Sequence, residues 1–172
     1  MAIELRKSST YDLTAFVREV VLPGSNGAEP VLDAERCYFR LEYRHSPIHR
    51  WGIFAAEAIP ARRRVIEYTG QKISEKEVWR RRFREHIYIF WVNDKRAIDG
   101  ALGGSGAEYI NHSCEPNLIS RVAGSRIFLT SIRKITAGEE LTYDYNLDDE
   151  ERPIACTCGA ASCKGVITHG DL

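Results

Sequence analysis

The chain has 172 residues, of which 44% are apolar and 28% are charged, a composition that favours one globular domain over a disordered protein. Lysine plus arginine equals aspartate plus glutamate at 24 each, so the overall field gives no reason to expect direct nucleic-acid binding. No apolar run approaches the roughly 20 residues of a membrane helix, and charged residues interrupt the first turns, where a secretory signal would be uncharged. We therefore expect a protein inside the cell, in the cytoplasm or nucleus, that binds no membrane.

Residues 1–36 are predicted to form an N-terminal extension. Ser9 and Thr10 can cap a helix whose apolar residues, from Leu13 to Val21, fall on one face. Pro23 and Gly24 would end that helix, and a loop rich in Gly, Pro and Asn follows.

Many short strands are predicted from residue 37 onwards. Alternating apolar and polar residues between Cys37 and Arg44 indicate a half-buried strand. Turn residues separate most of the β-rich runs that follow, at 52–56, 65–69, 87–93, 118–122, 126–132 and 140–145. The fold class expected from this pattern is mainly β.

One short helix interrupts the strands, over about residues 73–87. Ser74 and Glu77 have the spacing of a capping box, in which the side chain of each residue accepts a hydrogen bond from the backbone N–H of the other. Val78, Trp79 and Phe83 then recur at a helical period.

Three of the five cysteines lie close together near the C-terminus, at Cys156, Cys158 and Cys163. An odd number of cysteines argues against a closed disulfide framework, and three thiolates are one short of the tetrahedral shell of structural zinc. The spacing leaves both Cys37 and Cys114 open as the fourth ligand. The alternative is a set of unrelated buried thiols.

The segment from Tyr109 to Asn117 combines an amide, an imidazole, a hydroxyl and a thiol in nine residues, a density of polar function that is typical of an active-site loop. Tyrosines lie in or beside this loop and the predicted strands. Each alone is an ordinary core aromatic, but together they can line a channel for a long side chain with an amine tip. The five are Tyr68, Tyr88, Tyr109, Tyr143 and Tyr145.

Other enzyme classes fit poorly. No glycine-rich phosphate-binding motif is present, and Gly103 to Gly106 follow no clear strand-to-helix pattern. A hydrolase built on His112 and Cys114 would place nucleophile and base two residues apart on one loop, with no third group to orient the base.

Four segments, in the same order and spacing, resemble those of SET-domain protein lysine methyltransferases, and the resemblance covers about residues 37–167. They are residues 46–54 (Ser-Pro-Ile-His-Arg-Trp-Gly-Ile-Phe), 67–70 (Glu-Tyr-Thr-Gly), 111–117 (Asn-His-Ser-Cys-Glu-Pro-Asn) and 138–145 (Gly-Glu-Glu-Leu-Thr-Tyr-Asp-Tyr).

The resemblance implies a fold of several small sheets with a knot-like crossing, in which residues 140–145 pass under the 111–117 loop. It implies a SET domain at 37–146, with the helical insert as one wall of the substrate groove, and a post-SET zinc segment at 147–172. The zinc ligands of that family pattern are Cys114, Cys156, Cys158 and Cys163.

The family's function would be transfer of methyl groups from S-adenosylmethionine to a lysine amine of a histone or other basic protein. The cofactor would be contacted by Trp51, Gly52, Tyr88, Asn111 and His112. The lysine would enter through a channel lined by Tyr68, Tyr88, Phe90, Tyr143 and Tyr145.

Three tyrosines carry the chemistry in this reading. Tyr145 would orient the amine and the methyl group, and Tyr68 would hydrogen-bond the amine. Tyr143 matches the position where a hydroxyl holds water in the space of an extra methyl group, so mono- or dimethylation is expected.

The chain departs from the family pattern at two positions. Arg50 replaces a common glycine, so we expect the backbone there to avoid left-handed conformations. Glu108 replaces a common arginine and is expected to weaken cofactor binding. No cysteine-rich region precedes residue 37, so substrate selection would rest on the insert, the tail or an oligomeric partner such as a homodimer.

Two other functions are compatible with the sequence. A non-catalytic module could keep the fold and the zinc site and bind lysine-containing peptides. A methyltransferase acting on a non-protein amine would keep the chemistry and change the substrate.

Overall fold

The computed structural model describes residues 30–82, 87–147 and 154–167. The helix predicted after Ser9 and the loop that follows it lie outside these residues. The described part is mainly β, as expected, and its strands form four small sheets. No helix in these ranges is long and apolar enough to span a membrane.

A five-stranded sheet forms the centre of the fold. Its strands are β3 (Arg64–Tyr68), β7 (Asn111–His112), β8 (Leu118–Ala123), β9 (Arg126–Ser131) and β10 (Thr142–Tyr143), in the order β3-β9-β8-β10-β7. β9 pairs antiparallel with both β3 and β8, whereas β10 runs parallel to β7 and β8.

Three smaller sheets surround the central one. β1 (Leu41–His45) and β2 (Trp51–Ala55) form a hairpin. β4 (Gln71–Ser74), β5 (Ile89–Asn93) and β6 (Arg96–Asp99) form an antiparallel sheet in the order β4-β6-β5. Near the C-terminus, β11 (Ile154–Ala155) pairs with β12 (Val166–Ile167).

One helix, α1 (Glu75–Arg81), follows β4 directly. Ser74 occupies the N-cap position, but its side chain makes no capping hydrogen bond, so the predicted capping box does not form. Instead, Arg81 fastens the helix: its guanidinium donates to Glu77 at 2.8 Å and to the buried Asp99 of β6 at 2.7 Å. The helix is therefore joined to its sheet by a buried ion pair.

The predicted crossing is confirmed, because β10 lies between β7 and β8 in the central sheet. Asn117 fixes the crossing with both ends of its side-chain amide. Its nitrogen donates to the carbonyl of Glu140 at 2.7 Å, and its oxygen accepts from the backbone N–H of Thr142 at 2.9 Å. On the other side of the segment, the N–H of Leu141 donates to the carbonyl of Ile53 at 2.7 Å.

The core lies between the central sheet and the β1–β2 hairpin. Its fully buried side chains are the apolar residues of the predicted strands and of the crossing, and burial of such side chains drives folding. The largest of them include Ile53, Ile66, Ile110, Leu118, Ile127, Leu129 and Leu141.

Candidate active site and zinc centre

A chain of aromatic rings runs along one side of the core. Neighbouring rings have centroid separations of 5.4 Å for Tyr68 and Phe90, 6.0 Å for Phe90 and Tyr143, and 4.9 Å for Tyr143 and Tyr145. Strands β3, β5 and β10 each contribute one of these rings, and Tyr145 follows β10 by two residues. The fold thus brings together residues from 68 to 145 that the sequence predicts for one channel.

Two of the channel hydroxyls donate to backbone carbonyls. Tyr68 donates to the carbonyl of Tyr88 at 2.8 Å, and Tyr145 donates to that of Ile110 at 2.9 Å. Each phenol oxygen therefore keeps its lone pairs as acceptors. Burial raises the pKa of both phenols above the ordinary value, so they stay protonated at neutral pH.

Glu108 carries a partly buried carboxyl group beside this aromatic region. Its Oε2 accepts a hydrogen bond from the N–H of Gly106 at 2.8 Å. Burial raises the pKa of Glu108 to about 7, although hydrogen bonds from the backbone N–H groups of Glu108 and Gly106 act to lower it. Its charge also contributes to the raised pKa of Tyr68 and Tyr143, after burial.

The side chain of Asn111 connects three segments. Its amide nitrogen lies 3.0 Å from the carbonyl of Trp51 and 2.8 Å from Oε1 of Glu140. The Glu140 carboxylate also accepts from the hydroxyl of Ser46 at 2.7 Å. A Cβ at Gly52 would lie 2.3 Å from Oε1 of Glu140, so a larger residue there would displace this carboxylate from Asn111 and Ser46.

The imidazole of His112 lies between Tyr145 and the cysteines. Its Nδ1 accepts from the backbone N–H of Tyr145 at 3.2 Å, which requires that Nδ1 carry no proton. The proton of the neutral ring is then on Nε2, 3.5 Å from Sγ of Cys114. Burial lowers the pKa of His112, while Asp144 acts in the opposite direction.

A cavity of about 210 Å³ opens beside these residues. Asn111, His112 and Tyr145 line one part of it, Ile48 and His49 a second part, and residues 154–158 with Ile167 the rest. Of the residues predicted for the cofactor, Asn111 and His112 line it directly. Trp51 lies next to it through its carbonyl, while its ring stacks on His45 at a centroid distance of 4.3 Å.

Four cysteines cluster at the C-terminal side of this cavity. The sulfur atoms of Cys114, Cys156, Cys158 and Cys163 all lie within 4.8 Å of one another. The pair Cys114 and Cys156 is separated by 3.8 Å, which matches the edge of about 3.8 Å in a tetrahedron with Zn–S bonds of about 2.3 Å. The donor set and its spacing are therefore compatible with structural zinc.

Backbone N–H groups surround these sulfur atoms, as is common around metal-bound thiolates. Cys114 receives the N–H of Lys164 at 3.4 Å, and Cys163 receives that of Gly165 at 3.5 Å. Burial acts to raise the pKa of Cys158, but N–H groups of Cys114 and Ala160 lower it to about 6. A thiolate is thus favoured at that position before any metal is considered.

Cys37 is excluded as the fourth ligand. Its sulfur donates to the carbonyl of Asp33 at 3.4 Å, and burial raises its pKa to about 11. The structure therefore chooses Cys114 between the two alternatives that the spacing leaves open.

The C-terminal segment is attached to the site by more than the cysteines. The hydroxyl of Thr157 donates to the carbonyl of Ile48 at 3.0 Å, and Ser162 donates to Glu115 through both its backbone and its hydroxyl, at 3.1 and 2.5 Å. The tail thereby closes the cavity from one side.

The expectation for Arg50 was wrong. Its φ is +41°, so an arginine adopts the positive φ that a glycine would tolerate more easily. The physical reason is the tight β1–β2 turn, where the N–H of Ser46 donates to the carbonyl of Arg50 at 3.0 Å. The backbone of Arg50 is therefore strained in this turn.

Two contributors to the site were missed in the sequence, Glu140 and Ser46. Glu140 could have been noticed as a carboxylate directly before the buried residues 141–143. Its partners lie 29 and 94 residues away, however, so no local pattern could identify them.

Sequence comparison places the chain among known proteins. The family model described as "SET domain" matches residues 50–146. The H3 lysine-4 specific histone-lysine N-methyltransferase of Saccharomyces cerevisiae is 40% identical over 73% of the chain, and histone-lysine N-methyltransferase SETD1 of Drosophila melanogaster is 35% identical over 95% of it. The chain spans only 13% and 10% of the lengths of these relatives.

Solved structures agree with the sequence relatives. The crystal structure of KRYPTONITE in complex with mCHG DNA and SAH matches with a TM-score of 0.67 and 31% identity, covering 78% of this chain and 30% of that one. A second KRYPTONITE structure, with mCHH DNA, an H3(1-15) peptide and SAH, matches with a TM-score of 0.66. Together with the cysteine cluster and the threaded crossing, these matches show that the chain belongs to the SET-domain family, with a C-terminal cysteine segment of the post-SET type.

Proposed function

We propose that this chain transfers methyl groups from S-adenosylmethionine to a lysine side chain of a protein, with histones as the substrate class. The observation that carries the proposal is the aromatic channel that ends at the hydroxyl of Tyr145, next to the cavity lined by Asn111 and His112. The relatives supply the substrate class, because they are named histone-lysine N-methyltransferases and a structural neighbour binds an H3 peptide and SAH.

The channel residues prepare the lysine amine for attack. A lysine ammonium, with an ordinary pKa of about 10.4, must lose its proton before its nitrogen can act as a nucleophile. The buried rings of Tyr68 and Tyr143, with the partly buried ring of Phe90, exclude water, and loss of water disfavours the charged form.

The hydroxyls then orient the neutral amine. Since Tyr68 and Tyr145 donate their own hydrogens to carbonyls, their oxygens can accept the two N–H bonds of the amine. The nitrogen lone pair would then face away from both oxygens, towards the cofactor cavity. When bound, S-adenosylmethionine supplies an electrophilic methyl group on a sulfonium, and positioning for an in-line displacement provides much of the acceleration.

The cofactor would be held by backbone and side-chain groups around the 210 Å³ cavity. Asn111 has its amide committed to Trp51 and Glu140, so we assign it the role of fixing the backbone at Trp51 and Gly52. The family resemblance assigns Tyr88 to both sites, and in the structure its carbonyl accepts from the hydroxyl of Tyr68 while its ring lies 6.1 Å from that of Tyr109.

Mono- or dimethylation is the expected outcome. Tyr143 is only 8% exposed and lies between Phe90 and Tyr145, and a water held by its hydroxyl would occupy the space that a further methyl group needs. We also propose domain limits of 37–146 for the SET domain and 147–172 for the post-SET segment, a location inside the cell with histones, and a homodimer as one way to add substrate contacts.

The test is incubation of the protein with isotope-labelled S-adenosylmethionine and three sets of acceptors: recombinant histones, soluble proteins of a cell lysate, and small amines. Label on lysine residues of a protein supports the proposal. Label on small amines alone would assign a non-protein substrate. Peptide binding with no detectable cofactor binding would assign the non-catalytic module.

A further inference from the structure

The central sheet has an outer face that the proposed chemistry does not use. In an antiparallel pair, directly opposed residues project to the same side. Phe128 of β9 opposes Glu67 of β3 and Arg121 of β8, and these three side chains share the outer face. Tyr68 opposes Ile127 on the inner face, so the aromatic channel lies on the other side of the sheet.

This outer face is rich in arginine. We call it the arginine face: Arg64, Arg121 and Arg126 lie on it, Tyr38 packs on its Phe128, and Arg62 and Arg63 lie at its edge. A hollow of about 310 Å³ lies along its edge, lined by Tyr38, Phe39 and the three consecutive arginines. Among the residues that the structure describes, no carboxylate forms an ion pair with Arg62, Arg63, Arg64 or Arg121.

The one acidic side chain of this face is already neutralised. The carboxylate of Glu67 is buried and accepts from Arg126 at 2.7 Å and from Arg36 at 3.3 Å. Hydrogen bonds from Arg126 lower the pKa of Glu67 against the effect of burial, so the group stays ionised and paired. The unpaired arginines therefore leave the face with a net positive charge.

Aromatic rings are interleaved with these charges. The guanidinium of Arg64 lies 4.1 Å from the ring centroid of Phe128, and that of Arg126 lies 4.8 Å from it. Tyr38 packs edge-on against Phe128 and remains 50% exposed. The stacked arginines are held in place before a ligand arrives, while the Tyr38 ring keeps a free surface.

We propose that the arginine face binds single-stranded nucleic acid, with phosphates at Arg62, Arg63 and Arg121 and an unpaired base on Tyr38. Arginine forks match phosphate oxygens, and bases stack on exposed aromatic rings whatever their sequence. An acidic peptide would use the charges but not the ring, and the stacked bases of a duplex cannot reach it. The chain as a whole has a net charge of zero, so its composition does not indicate this local excess of positive charge.

The test measures binding of fluorescein-labelled 12-mers of oligo(dT) and oligo(rU) by anisotropy over a series of salt concentrations. The double variant Arg62→Gly/Arg63→Ser removes two charges, and the glycine suits the φ of +61° at position 62. We expect it to weaken binding at least tenfold and to reduce the slope of log affinity against log salt by about 1.4, since each phosphate contact contributes about 0.7.

Two further variants test the proposal at other positions, so that a folding defect in the double variant cannot decide the result. Tyr38→Leu is expected to weaken binding several-fold with an unchanged salt slope, and Arg121→Ser to reduce the slope by about 0.7. The control Lys72→Ser/Lys95→Ser removes two charges from the β4-β6-β5 sheet and is expected to bind as the wild type does. Equal binding by wild type and the arginine variants would overturn the proposal. So would equally effective competition by a duplex or by polyglutamate.

Discussion

The side chain of Glu140 accepts a hydrogen bond from the amide of Asn111 at 2.8 Å, across 29 residues of sequence. The same carboxylate accepts from Ser46 at 2.7 Å, next to the turn that leads into β2. The two segments predicted to hold the cofactor are therefore fixed to each other by the segment that threads between them. We infer that Glu140 is a positioning residue for the cofactor site.

The variant Glu140→Gln is expected to weaken S-adenosylhomocysteine binding by about tenfold, roughly 1.4 kcal/mol, because Ser46 and Asn111 both donate to Oε1 of the carboxylate and a neutral amide oxygen is a weaker acceptor than a charged one. Isothermal titration calorimetry measures the change, and steady-state rates should show a higher KM for the cofactor with a smaller effect on kcat. The matched control is Glu57→Gln, whose exposed carboxylate accepts from Arg40. Unchanged affinity in Glu140→Gln would remove its positioning role.

Removal of one zinc ligand should release the C-terminal segment. Cys114→Ser leaves three thiolates for the metal, so we expect less than one zinc per chain by elemental analysis and faster proteolysis within residues 154–167. Cys37→Ser is the control, since Cys37 lies outside the cluster and should leave the zinc content unchanged. Equal zinc loss in both variants would contradict the assignment.

The sequence predicts the strands whose apolar pattern is strong. Runs expected at 52–56, 65–69 and 126–132 correspond to β2, β3 and β9 within one residue at each end. β4 and β6 were not predicted, because they are short strands of mixed polar and apolar residues that form by pairing with distant segments, as Gln71 does with Asp99, 28 residues away. Such pairing is set by the tertiary fold and leaves no local signal.

The candidate site was likewise predicted only in part, because some of its contacts leave no local signal in the sequence. The resemblance to the SET-domain family predicted roles for the tyrosines, Asn111 and His112, whereas the spacing of the cysteines alone left two choices for the fourth metal ligand. The hydrogen-bond partners of the hydroxyls could not be predicted either, because they are distant in sequence. The hydroxyl of Tyr68 donates to the carbonyl of Tyr88, 20 residues away. At Arg50, the tight turn outweighed the intrinsic preference of the residue, which is why that expectation failed.

Product multiplicity tests the role of Tyr143. Removal of its hydroxyl in Tyr143→Phe opens space for another methyl group within the channel. We expect mass spectra of the product peptide to shift from mono- and dimethyl towards di- and trimethyl lysine, with the total rate reduced by less than about tenfold. An unchanged distribution of products would show that another group limits methylation.

The partly buried carboxyl of Glu108 should make the stability of the fold depend on pH. Its pKa of about 7 in the folded chain exceeds the ordinary value of 4.5, so the folded state holds a proton that the unfolded state releases first. Its contribution to stability is full below about pH 4.5 and is lost as pH rises through 7. Relative to Glu108→Gln, the zinc-loaded wild type should lose about 1 kcal/mol more between pH 6 and pH 8 in urea denaturation. Parallel pH profiles for the two proteins would contradict the raised pKa.

Tyr109→Phe supplies a matched control for the channel hydroxyls. The hydroxyl of Tyr109 is buried without a hydrogen-bond partner in the described part of the chain, and an unsatisfied buried hydroxyl is destabilising. Its removal should leave methyl transfer unchanged and stabilise the fold by about 1 kcal/mol, measured by urea denaturation. A large loss of activity in this variant would mean that any tyrosine substitution near the channel disrupts it.

The most direct measurement of the central claim is single-turnover methyl transfer from labelled S-adenosylmethionine to a histone H3 peptide by the wild type, Tyr145→Phe and Tyr109→Phe. If the oxygen of Tyr145 orients the amine, Tyr145→Phe should lose at least about 100-fold in rate, near 2.7 kcal/mol, while its cofactor affinity and circular dichroism stay close to those of the wild type. Tyr109→Phe should transfer methyl groups at the wild-type rate. Transfer by Tyr145→Phe within a few-fold of the wild type would contradict the account.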